Sequence, residues 1–276
     1  MRRLRLVGIG GLVGLGGLVG VTAHRVANTE HPWSRPGATA STILQDPQWP
    51  AEFPITTEHL KRLDETVDTS FYSQPRMIHH IDEEARRALQ AHYRAVLPKG
   101  GAVLDLMSSW TSHLSVGSGA IKEDGYFARL AALGMNKAEL QANPAAHDHH
   151  VQDLNRAPSL AMYADESFDA VFCSVSVDYL SQPMAVLAEI RRVLKPGGLL
   201  LFTWSNRMFP TKAIAAWRLA SEPERVWICG AYVHYTGGFT PPEGADLSPK
   251  HTHGRTDPVY AVHARKLPTA PQRDEL

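Results

Sequence analysis

The apolar residues fall into distinct regimes along the chain. Leu6 to Ala23 is an uncharged run of mainly Leu, Val, Ile and Gly behind the basic start Met1-Arg2-Arg3-Leu4-Arg5. From His24 to Thr69 no apolar period is sustained, and Pro32, Pro36, Pro47, Pro50 and Pro54 interrupt the segment. Beyond it, amphipathic and wholly apolar blocks alternate. Ile81, Ala85, Leu89 and Tyr93 recur at four-residue steps, which predicts a helix with one buried face. Pro98-Lys99-Gly100-Gly101 stops that helix, and Ala102 to Leu106 then reads as a buried strand with Asp105 near its C-terminal end. Further strands are expected at 127–133, 149–154, 168–175 and 199–205. The clearest helix between them is Met184 to Leu194, where Val186, Leu187, Ile190, Val193 and Leu194 share a face. Residues 257–264 alternate and read as a last strand inserted beside its neighbours. Strands alternating with helices through short connections predict an α/β, doubly wound, Rossmann-like sheet.

This pattern divides the chain into a signal, anchor or targeting segment at 1–23, a Pro-rich linker at 24–69, a folded domain at 70–267 and a tail at 268–276. Val21-Thr22-Ala23 offers a small-residue cleavage site, whereas Gly10/Gly14 and Gly16/Gly20 would let two helices approach closely in a bilayer. The expectation is a signal or transmembrane segment, membrane association through residues 6–23, and a membrane-associated or organellar or secretory placement. Arg273-Asp274-Glu275-Leu276 lies one residue away from the lysine-led endoplasmic-reticulum retention signal.

Charge narrows the partners. The 28 Lys and Arg balance the 28 Asp and Glu, and no basic run follows Arg5, so nothing indicates a nucleic-acid footprint. A small-molecule partner fits better. The cysteines, Cys173 and Cys229, are far apart and carry no ligand-like spacing. His147-Asp148-His149-His150 and His251-Thr252-His253 hold metal-binding chemistry but lie in expected loops, and no metal site is assigned to them.

The block Phe168-Asp169-Ala170-Val171-Phe172, Tyr179-Leu180 and Glu189-Ile190-Arg191-Arg192-Val193-Leu194-Lys195-Pro196-Gly197-Gly198-Leu199 resembles the second half of class I S-adenosylmethionine-dependent methyltransferases of the small-molecule type. Its Lys-Pro-Gly-Gly run has a local reason: Pro196 bars continuation of the helix, and the glycines permit the turn into the fifth strand. The resemblance covers about 78–265 and implies a seven-stranded sheet, mostly parallel, with the last strand antiparallel. It also implies S-adenosyl-L-methionine as cofactor. Asp105, Met107, Ser108 and Ser109 then fall at the first cofactor loop, Asn136 at the position that usually bears the ribose-binding acid, Asp153 and Leu154 at the adenine, and Ser174 past the fourth strand.

One departure matters. The family's first loop carries three closely spaced glycines; Met107-Ser108-Ser109-Trp110-Thr111 carries none, and non-glycine residues resist positive φ. Either side chains crowd the pocket or the backbone takes another path. Around the acceptor, the catalytic candidates are Tyr72, His80 and Asn206, with Arg76 and Arg207 suited to an anionic acceptor; a lipid-like acceptor is the other expectation. The function expected is methyl transfer to a small molecule. A catalytically silent relative that only binds stays open as the alternative. A nicotinamide-dependent oxidoreductase is disfavoured, because the phosphate-binding glycine pattern is missing.

Overall fold

The computed structural model describes residues 31–114, 125–250 and 256–268. Its elements are α1 (Thr57–Leu60), α2 (Asp68–Phe71), α3 (Glu83–Val96), β1 (Ala102–Ser108), β2 (Arg129–Gly134), α4 (Lys137–Ala142), β3 (Asp148–Val151), β4 (Phe168–Ser174), α5 (Pro183–Val193), β5 (Leu194–Ser205), α6 (Ala215–Leu219), α7 (Glu222–Thr236), β6 (Glu243–Asp246) and β7 (Val259–Arg265). The strands form one sheet in the order β3-β2-β1-β4-β5-β7-β6. β1 pairs in parallel with β2 and β4, β2 with β3, and β4 with β5, whereas β7 runs antiparallel to β5 and β6. The expected mostly parallel sheet with an antiparallel last strand is what forms.

Alternation along each strand splits the core between the two faces of the sheet. Val103, Phe172 and Leu201 pack with Ala85, Leu89 and Tyr93 of α3. Leu104, Val171 and Leu200 face the other way, onto Val186, Ile190 and the buried side of α7. Asp82 caps α3 by accepting from the Ala85 N–H at 2.9 Å. It also exchanges side-chain-to-backbone bonds with Asp257, which ties the start of α3 to the chain entering β7. The Lys195-Pro196-Gly197-Gly198 turn forms a bulge within β5, where pairing with β4 jumps from Phe168–Leu194 to Ala170–Leu199.

Two expectations are corrected. Residues 24–69 do not behave as a linker from Pro32 onward, because Trp33, Ile43 and Ile55 are buried in the core shared with α7. Trp49 stacks on His234 at 4.8 Å, and the Trp227 indole N–H donates to the Pro47 carbonyl at 3.2 Å. Turns rather than a regular element carry most of this stretch, so each apolar residue anchors separately and leaves no period to read. Among the described residues, no helix is long and apolar enough to cross a membrane. As far as the described residues go, that finding stands against the expected transmembrane or signal segment, the membrane association and the membrane-bound or organellar placement. Residues 6–23 and Arg273–Leu276 themselves lie outside the described residues, as do His251 and His253.

Candidate functional site

In an open α/β sheet, ligands bind beyond the carboxyl ends of the strands where the strand order reverses. Here the reversal lies between β1 and β4, and a cavity of about 270 Å³ opens there. It is floored by the ends of β1 to β4 and roofed by the lead-in from Asp68 to Ile81.

The glycine-free turn after β1 solves its own steric problem. Met107 adopts the left-handed region at φ 58°, and the β1–β2 register shifts between Leu106 and Ser108. The room comes from the neighbouring strand: a Cβ on Gly134 would stand 2.1 Å from the Ser108 carbonyl oxygen. Val175, at the end of β4, is also left-handed at φ 53°, a costly conformation for a β-branched residue and one that concentrates at binding sites. Beyond the turn, Ser109 donates to Glu139 at 2.7 Å and Asn143 donates to the Ser109 carbonyl at 3.0 Å. Trp110 stands in the wall, its indole N–H on the Ile78 carbonyl at 3.2 Å and its ring against His79 at 4.6 Å. The cavity is therefore open beside the indole.

Tyr72, His80, Asp105, Met107, Ser108, Ser109, Asp153, Leu154 and Ser174 all line this cavity. Asn136 and Asn206 do not, and both assignments are corrected. Asn136 is the N-cap of α4: its Oδ1 accepts from the Ala138 and Glu139 N–H groups, and its Nδ2 donates to the Tyr72 carbonyl at 2.8 Å. Its side-chain donor and acceptor are thus committed to the backbone. Asn206 is exposed and accepts from Ser205 at 3.2 Å.

The sequence reading missed Glu139, Asp68 and Asn155, which do line the cavity. Glu139 sits three residues past the Asn136 cap, where an acid reads as capping-box chemistry. Its carboxylate instead joins Ser109 to the Arg76 N–H, which donates at 2.6 Å. Asn155 donates to Asp68 at 2.9 Å and to the Tyr179 carbonyl at 2.8 Å, knitting the β3 loop to the lead-in. Asp153 shapes the same loop by accepting from the Asn155 N–H at 3.0 Å.

Burial sets the electrostatics. It pushes the Asp105 carboxyl up to about 7, against hydrogen bonds from Ser108 and Ser112. It also pushes the buried Asp178 carboxyl up to about 8. Burial and the charge of Arg76 lower the His80 imidazole, and burial with nearby His79 and Arg86 lowers His113 to about 3. Both rings are thus neutral at neutral pH. The Tyr72 phenol is raised by burial and by Asp178 and Asp68.

The raised Asp178 carboxyl has a measurable consequence. A carboxyl whose folded value is raised binds its proton more tightly in the native state, so stability falls as pH climbs from the ordinary carboxylate range to about 8 and levels off above. Asp178→Asn removes this slope. Thermal unfolding from pH 5 to 9 is expected to show the variant gaining several degrees on the wild type, since each tenfold difference in proton affinity between the folded and unfolded chain is worth about 1.4 kcal/mol. Parallel profiles would place the Asp178 carboxyl in a less buried state.

Residues 114–202 match the methyltransferase domain family. This match, over part of the chain, supports the expected class I S-adenosylmethionine-dependent methyltransferase superfamily. Over 66 residues the chain is 39% identical to the thiol S-methyltransferase TMT1B of Rattus norvegicus, covering 24% of this chain and 27% of that protein. Over 124 residues it is 30% identical to a malonyl-[acyl-carrier protein] O-methyltransferase of Erwinia pyrifoliae, covering 40% of this chain and 46% of that one. The chain spans less than half the length of the curated relatives it matches. An S-adenosylmethionine-dependent methyltransferase from Mesorhizobium loti superposes with a TM-score of 0.46 at 16% identity, over 65% of this chain and 98% of that one.

The residues at this cavity fit S-adenosylmethionine, the cofactor of that superfamily. Beside Gly134 the cavity is lined by the hydroxyls of Ser108 and Ser109 and the carboxyls of Glu139 and Asp153, a donor and acceptor set suited to an amino-acid end and a ribose diol. Glu139 rather than Asn136 is the acid positioned next to β2.

Proposed function

We propose that this chain transfers a methyl group from S-adenosylmethionine to a small-molecule acceptor. The observation that carries the reading is the cavity at the reversal point, open although the glycines of the turn are gone: Met107 takes the left-handed region and the Ser108 carbonyl packs where a Gly134 side chain would stand. Asp153 and Leu154 would hold the adenine, Glu139 the ribose, and Ser108, Ser109 and Asp105 the amino-acid end. When bound, S-adenosylmethionine supplies a methyl on a sulfonium sulfur, an electrophile that needs alignment and dryness more than acid assistance.

The chain's own residues serve those needs. The lead-in over the cavity excludes water, and Tyr72, Tyr179 and His80 border the acceptor side. An imidazole lowered below its ordinary value is unprotonated near neutral pH, so His80 can take a proton from an acceptor hydroxyl or thiol onto a ring nitrogen. No observation favours the silent alternative.

Calorimetric titration with S-adenosylhomocysteine tests the reading. The wild type is expected to bind, and Ser109→Phe, which fills the hollow and breaks the bond to Glu139, is expected to lower affinity by at least tenfold. Equal affinity in the variant would move the cofactor elsewhere, and no binding by the wild type would reject methyl transfer.

A further inference from the structure

The cavity is lined by the carboxyls of Asp68, Asp105, Glu139 and Asp153, and its lead-in carries Arg76 among aromatic rings. The Arg76 guanidinium lies 4.6 Å from the Phe71 ring centre and 5.5 Å from that of Phe209, and its Nη2 donates to the Phe71 carbonyl at 3.0 Å. Among the described residues it makes no ion pair with a carboxylate. Arg207 pairs with Asp257 at 2.7 Å, and Arg62 and Lys212 both pair with Asp68.

A guanidinium covered by rings has given up water from its faces, and its remaining in-plane N–H groups are best met by a planar anion. The surface beside it is aromatic. Phe209 is the hub, with His80 at 5.1 Å and 76°, and Tyr179 at 6.0 Å and 30°. A cationic acceptor would be repelled by Arg76, and a fully polar one would leave these rings without a partner.

We propose that the acceptor is a small aromatic carboxylic acid whose carboxylate pairs with Arg76 and whose ring lies against Phe209 and Tyr179. This rests on the methyltransferase reading for the identity of the site, not for the geometry of its anionic end. Arg76 is a binding residue in this proposal, and its side chain selects charge and planarity together.

The test uses the full chain with benzoate, 4-hydroxybenzoate and phenylacetate, each against its neutral amide, by ligand-observed NMR and calorimetry. At least one acid is expected to bind tenfold or more tightly than its amide. Arg76→Gln should erase that preference, and Arg76→Lys should restore only part of it. S-adenosylhomocysteine affinity of Arg76→Gln should stay within twofold of wild type, which also reports that the variant is folded. The proposal is overturned if no acid binds, if acids and amides bind alike, or if Arg76→Gln keeps the preference. It is equally overturned if Arg76→Gln loses S-adenosylhomocysteine instead, since Arg76 would then serve the nucleoside side. Wild type that binds S-adenosylhomocysteine without preferring acids sinks the acceptor class alone. Wild type that prefers acids but binds no S-adenosylhomocysteine sinks methyl transfer alone.

Discussion

Gly134→Ala is expected to abolish S-adenosylhomocysteine binding and to lower the melting temperature by roughly 2–12 °C, at about 2–4 °C per kcal/mol for a domain of this size. The added Cβ would meet the Ser108 carbonyl oxygen at 2.1 Å and the Leu140 side chain at 3.2 Å. The first contact is with backbone that is itself in strand pairing, so a rotamer change cannot relieve it. Overpacking of this kind costs about 1–3 kcal/mol once the structure has shifted to accommodate it. The shift falls on the turn that matters: moving Ser108 breaks its 2.6 Å bond to Asp105 and drags Ser109 from Glu139. Gly197→Ala gives the contrast. That glycine has φ 76° with open space around it, so alanine there costs only backbone strain of about 1–2 kcal/mol and leaves binding unchanged. Retained affinity in Gly134→Ala would show that the turn after β1 does not hold the nucleoside.

Gly134 also shows where sequence reading ended. The fifth-strand entry was legible because Pro196 and its glycines act locally, each residue fixing its own backbone. The missing glycines after β1 left crowding and another backbone path both open because their compensation is not local: the space for the turn is made by a glycine on the adjacent strand, visible only once Ser108 and Gly134 are paired. The strand pattern and the α3 face were legible for the reason that burial on one side leaves a period. Trp33, Ile43 and Ile55 left none, since turns present them to the core one at a time.

The site residues divide along the same line. Asp105 and Ser174 lie within strands, Asp153 lies two residues past one, and the strands place them. Asn136 also follows a strand, but it stands at a helix start, and an Asn side chain there meets two unsatisfied N–H groups that claim its oxygen. Glu139 then became the carboxylate at the cavity. Asn206 lies past the last residue of β5, where the chain turns out to solvent, and Met208 and Phe209 line the cavity in its stead.

The roof itself hangs on Asp68, and Asp68→Ala is expected to cost about 3–5 kcal/mol, the usual penalty for breaking a buried ion pair from one side. Its carboxylate takes two 2.7 Å contacts from Arg62, one from Asn155 at 2.9 Å and an ion pair with Lys212 at 3.2 Å. Lys212 is 0% exposed, so its charge cannot turn to water when the partner goes. Glu65 and Asp64 remain for the two cations, but both acids are more exposed and less able to compensate. Burial works against the Asp68 charge, yet the bonds from Asn155 and Arg62 outweigh it and hold the carboxyl below the usual range. A depressed carboxylate contributes fully above the ordinary value and loses its contribution as pH falls through the folded one. The melting-temperature gap between wild type and variant should therefore be full at pH 7 and close progressively below about pH 4. Limited proteolysis at pH 7 should cut the variant first in the stretch 57–76, which Asp68 ties to the β3 loop and to Lys212. A gap that did not change with pH would mean that shape, not charge, holds the roof, and Asp68→Asn would then be as stable as wild type.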